Sequence, residues 1–133
     1  MKTLNAITEK GQDGFYAYVL EIDGCVAGGD TYEGVKQNLE EIIDLAIEED
    51  IKLQKKYKDG FKLQFQVSLQ SVFDLLPEIN ISQLAKLGQL NPGLLRQYVS
   101  GNKMASEAQT RKVMLAIDKL KNKLMSISLT GEG

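Results

Sequence analysis

The 133 residues suffice for one ordinary domain or two very small ones, and 43 % apolar with 26 % charged residues argues against wholesale disorder. There is no histidine and a single cysteine, Cys25, so the commonest general base, a disulfide framework, a zinc site and an imidazole-activated thiol are all excluded. No apolar run approaches the ~20 residues of a membrane span, and Met1-Lys2-Thr3-Leu4 turns polar too soon for a secretory leader. A reduced, cytoplasmic protein without a membrane partner is expected.

Net charge is −2, but it is unevenly spread. Residues 1–76 carry 8 basic and 14 acidic side chains, and residues 77–133 carry 8 and 4. Such a split predicts two modules with different partners; small solvated faces that differ by a few charges are the alternative.

In chain order, Thr3–Thr8 reads as a strand, and Gly11-Gln12-Asp13-Gly14 as a hairpin turn. Phe15–Ile22, rich in aromatic and β-branched residues, reads as a strand well inside a sheet. Cys25–Gly28 gives a short third strand after Asp23-Gly24. Val35, Leu39, Ile42, Ile43, Ala46 and Ile47 then form one apolar stripe of a helix, with Asp30 and Glu33 as its capping box. A lysine-rich turn over 52–60 leads to Phe61, Leu63, Phe65, Val67 and Leu69, which alternate with polar residues as a strand does. Ser71–Leu76 is expected to make one helical turn before Pro77. Residues 77–80 are a linker between a module spanning 1–76 and another spanning 81–133.

The second module reads as three helices. Asn80 caps the first, which carries Ile81, Leu84, Ala85 and Leu87. Asn91-Pro92 opens the second, with Leu94, Leu95, Tyr98 and Val99, and it ends near Ser100-Gly101-Asn102. Ser106 and Gln109 open a third, whose stripe is Val113, Ile117, Leu120 and Leu124 beside Met114 and Ile127. Thr130–Gly133 is expected to be a loose tail.

Two short helices joined by a tight turn are the layout of a helix-turn-helix, whose second helix enters the major groove. Asn91, Gly93, Arg96 and Gln97 face outward on that helix, and arginine, glutamine and asparagine are the side chains that read guanine and adenine edges. Asn102, Lys103, Ser106 and Arg111 are placed to hold phosphates. A plain three-helix bundle remains the alternative on spacing alone. Ala85, Leu90, Leu95, Tyr98 and Gly101 resemble the Xre/Cro-type helix-turn-helix family, with one departure. The glycine usual just before the turn's apolar residue is Gln89 here, with Gly88 one step early, so Gln89 is expected to be left-handed.

Acidic residues cluster on the outer helix face and in turns (Asp13, Asp23, Asp30), where solvation explains them better than a Mg²⁺ site. Gly24-Cys25-Val26-Ala27-Gly28-Gly29 lacks the lysine and Ser/Thr of a P-loop. No enzyme activity, catalytic residue, metal or cofactor is expected, and Cys25 is read as core filling.

The aromatic strand from Phe15-Tyr16-Ala17, Gly24-Cys25, the helix entry Gly29-Asp30-Thr31 and Glu33 resemble the HicB antitoxin family, with Asp23 where the family commonly has proline. The resemblance covers nearly the whole chain. It implies an α+β fold: a β-β-β-α-β partial RNase H-like, toxin-binding domain over 1–76, followed by a small all-α DNA-binding and dimerisation domain over 81–133. It also implies a partner, a HicA-type mRNA-cleaving toxin that is small and basic, together with operator DNA and a homodimer or higher homo-oligomer. Glu33, Glu40, Glu41 and Asp44 are the expected toxin contacts, since an acidic module steers towards a basic surface. A stand-alone regulator with an N-terminal ligand-sensing domain is the alternative.

Overall fold

The computed structural model describes residues 1–129; the expected tail Thr130–Gly133 lies outside them. Strands β1 (Lys2–Gly11) and β2 (Gly14–Val19) form an antiparallel hairpin that closes on Gln12-Asp13, with Gly11 opposite Gly14. The edge strand β3 (Val26–Gly29) pairs antiparallel with β2. Helices α1 (Tyr32–Glu48) and α2 (Ile51–Lys56) then carry the chain across to β4 (Phe61–Val67), which lies parallel to β1 with Leu4 opposite Leu63. Alternation sends Leu4, Ala6, Ala17, Val19 and Ala27 inward, where they meet Val35, Leu39 and Ile43 of α1 in a first core. Ile42, Ala46 and Ile47 flank it, so the predicted helix stripe faces the sheet.

A second core holds Leu69 and Phe73 of α3 (Leu69–Phe73), Leu84 and Ala85 of α4 (Ile81–Gly88), Leu95 and Tyr98 of α5 (Pro92–Val99), and Val113 and Ala116 of α6 (Glu107–Ser126). It also takes Val67 from β4 and Ala105 from β5 (Ala105–Ser106), a two-residue strand antiparallel to β4. The sheet is therefore five-stranded and mixed, in the order β3-β2-β1-β4-β5. The protein is α+β, and the region expected to be purely helical supplies one strand. The change from one core to the other falls at Val67, well before Pro77.

Several local readings are corrected. Thr31, not Asp30, caps α1: its backbone is extended and its Oγ1 accepts from the Gly34 amide at 2.9 Å. The β2 strand stops at Val19 because the Glu21 carboxylate turns back to accept from the Asn5 amide and side chain, each at 2.8 Å. That turn sends Ile22 into the core as a loop residue. The third strand starts one residue late, at Val26. The lysine-rich turn becomes α2, because the Asp50 carboxylate accepts from the Lys52 and Leu53 amides. Leu69 ends the alternation by entering α3, which Ser68 caps. The stripe on α6 stops at Leu120; Leu124 and Ile127 are exposed.

Candidate functional site

Asparagine caps open both helices of the predicted pair. Asn80 Oδ1 accepts from the Gln83 amide at 3.0 Å and Asn91 Oδ1 from the Leu94 amide at 2.9 Å, with Pro92 in the first turn of α5. Between them Gln89 is left-handed, at φ 55° and ψ 42°, as the departure from the glycine pattern predicts. It is the one non-glycine with positive φ among the described residues. The Leu90 amide then donates to the Ala85 carbonyl at 2.8 Å and locks the turn. Gly88 is needed where it stands: a Cβ there would collide with that of Ala116 and lie 3.3 Å from its Cα. Ala85, Leu84, Leu95 and Tyr98 are buried and Leu90 is half-buried, the distribution expected when two short helices cross closely.

Asn91, Gly93, Arg96 and Gln97 are all exposed on α5. The Asn91 carbonyl oxygen is occupied by the cap, so only its amide nitrogen is free to face outward. Arg96 leans back on α4, its Nη2 donating to Ser82 Oγ at 2.8 Å. Asn102 and Lys103 are exposed in the following turn, and the Lys103 amide donates to the Gln97 carbonyl at 3.2 Å. These six residues share one helix and the turn that leaves it. Ser106 and Arg111 belong instead to the start of α6, where Ser106 Oγ caps the helix by accepting from the Gln109 amide at 3.1 Å. Arg111 lines a groove shared with Lys10, Phe15 and Tyr32. Sequence reading missed Ser82, which restrains Arg96; a link across the helix crossing leaves no periodic signal.

Glu33, Glu40, Glu41 and Asp44 are exposed on α1. Glu33 lies 3.8 Å from Lys36, whose shorter bond, 2.9 Å, runs to Glu107 at the start of α6. The Tyr32 hydroxyl donates to the same carboxylate at 2.8 Å. Burial, then Glu107, push the Tyr32 hydroxyl well above its ordinary range. Burial alone would raise the Glu107 carboxyl, but hydrogen bonds from Lys36 and Tyr32 outweigh it and hold the group below the usual carboxylate value. The clasp joins α1 to α6 across 71 and 75 residues of chain, which no local pattern announces. Beside it runs the groove, of about 630 Å³, floored by Phe15, Tyr32, Val67, Val72, Met114 and Leu115. Cys25 is buried, and burial pushes its thiol pKa up, away from the reactive thiolate.

Fold and site define an α+β chain carrying a capped helical pair with a polar outer helix. No helix among the described residues is long and apolar enough to cross a membrane. The chain is similar to a "UPF0150 protein" of Helicobacter pylori (strain J99 / ATCC 700824), 40 % identical over 42 residues, which cover 32 % of this chain and 58 % of that one. The chain thus matches little more than half the length of that curated relative. No family model and no solved structure matches the chain.

Proposed function

We propose that this protein is the antitoxin of a type II toxin-antitoxin system. In this reading residues 1–76, as a HicB-like partial RNase H-like domain, occlude a HicA-type mRNA-cleaving toxin, and the region 81–133 represses the protein's own operon. UPF0150 is the HicB-like family, so the similarity over 42 residues supports the first half of the reading. The observation that carries the second half is left-handed Gln89 between two asparagine-capped helices, with Arg96 and Gln97 exposed on the second. A homodimer would present two such helices to a pseudo-palindrome with half-sites about 34 Å apart.

Titration of operator fragments tests this. Arg96→Ala should cost about 1–3 kcal/mol of discrimination between operator and unrelated duplex. Lys103→Ala should weaken binding to every duplex alike and lower the salt slope by about one. Absence of duplex binding by the intact chain at low ionic strength would end the DNA-binding half of the proposal.

One observation favours a second reading, a regulator whose first domain senses a ligand. The groove beside Tyr32 is largely apolar and contains the Thr110 hydroxyl, buried without a hydrogen-bond partner. In that case a small apolar molecule with a hydrogen-bonding group, and no basic protein, would shift operator affinity.

A further inference from the structure

On the face of β1–β3 turned away from α1, the residues alternate out of phase with the core. Tyr16, Leu20 and Val26 there are 47, 60 and 57 % exposed. The Tyr16 ring spans from β1 to β3 between two glycines. A Cβ at Gly11 would stand 2.8 Å from its Cε2, and one at Gly28 would stand 3.8 Å from its Cδ1 and Cε1. The glycines leave the ring uncovered, an aromatic platform lying across the sheet. Glu9 is the cross-strand neighbour of Tyr16, and on the same face burial, and then the nearby Glu9 carboxylate, push the Tyr18 hydroxyl above its ordinary range. Glu21 is fixed on Asn5 at the same side. By strand alternation, no lysine or arginine of β1–β3 points outward on this face.

Strand addition at the neighbouring edge is blunted. The Gly28 carbonyl accepts from Asn38 Nδ2 at 2.8 Å, and the Val26 amide is turned to the Gly24 carbonyl at 3.2 Å. A partner must therefore use the face. A nucleic acid could stack a base on Tyr16 but would bring phosphates against Glu9 with no cation beside it, since the outward Lys62 of β4 stands opposite Thr3, six residues along β1 from Glu9. A second copy packed face to face would set acid against acid. An aromatic plane beside a carboxylate matches an arginine, whose guanidinium stacks on the ring while its edge pairs with the acid.

We propose that this outer sheet face, rather than the acidic face of α1, receives the cationic protein partner. An arginine of that partner stacks on Tyr16 and pairs with Glu9, and Leu20 and Val26 supply the apolar surround. This assignment rests on the antitoxin reading and names the surface that reading needs. Glu40, Glu41 and Asp44 on α1 offer charge without an aromatic seat. An interface whose centre is a tyrosine within a polar rim is the pattern that concentrates binding energy.

The test is calorimetric titration of the full chain with the basic protein encoded by the adjacent reading frame. Tyr16→Ala should weaken binding about 30-fold or more and Tyr16→Phe hardly at all, because the ring plane is what matters. Glu9→Gln should cost about 10-fold and flatten the salt dependence. Val26→Lys, at an exposed edge-strand position, should also cost about 10-fold and keeps the test open if Tyr16→Ala unfolds. Glu40→Gln and Asp44→Asn should stay within about twofold. If the α1 variants weaken the complex and the sheet variants do not, the assignment is overturned while the functional reading stands. If the wild-type chain binds no such protein, the reading falls and takes the assignment with it. If Tyr16→Ala instead abolishes self-association of the chain alone, the face belongs to a second copy and the assignment is wrong.

Discussion

The two helices of the candidate DNA-binding pair end differently. After α5, Gly101 meets two demands at once: its φ is +85°, and a side chain there would run into the amide of Gln70, which donates to the Ser100 carbonyl at 3.1 Å. After α4 the same two demands fall on successive residues. Residue 88 needs space against Ala116, and residue 89 needs the left-handed backbone. Only one is glycine, and it stands where space is short. A methyl-to-methyl collision between packed helices has nowhere to relax, whereas a left-handed glutamine costs about 1 kcal/mol.

That ranking sets the order of effects. Gly88→Ala should be the most damaging of three substitutions, losing about 2–3 kcal/mol in urea denaturation because α4 and α6 must separate. A loss below that of Gly101→Ala would reverse the contrast. Gly101→Ala should cost about 1–2 kcal/mol, mostly backbone strain, since the obstructing Gln70 side chain can swing aside. The smallest change should be a gain: Gln89→Gly relieves the strained position and should stabilise by about 0.5 kcal/mol, with operator affinity kept within about twofold. A destabilised Gln89→Gly would mean that the glutamine side chain supplies a contact worth more than the handedness it strains.

Much of this region was legible because its rules are local. Asparagine before a helix, proline in the first turn and glycine after the last each act within four residues, so Asn80, Asn91, Pro92 and Gly101 announce themselves. The left-handed Gln89 was different in kind: it was implied by the resemblance to the Xre/Cro-type pattern, whose glycine place just before Leu90 it occupies. At the front of the chain the same local logic erred by one residue at the α1 cap, since Asp30 and Thr31 are both acceptable capping residues and only the backbone path selects between them. It also missed α2, where a single aspartate, Asp50, turns a lysine-rich run helical. Features built by distant partners were illegible. β5 is two residues long and owes its existence to β4, and the Tyr32–Lys36–Glu107 clasp spans more than half the chain. The Tyr16 platform needs the register of three strands, because Gly11 and Gly28 sit beside the ring only once the sheet is paired.

The small strand at Ala105–Ser106 bears on how this protein can be dissected. Ala105 is fully buried and opposite Val67, and Leu69 and Phe73 lie in the same apolar cluster as Leu95 and Tyr98 of α5. A protease cut or a cloning boundary at Pro77 would strip Val67, Leu69 and Phe73 from the cluster behind α5 and leave raw hydrocarbon on both fragments. Severed there, the piece bearing Arg96 would be sticky and loosely formed, whereas a boundary at Val67, where one core gives way to the other, would carry its missing floor along with it.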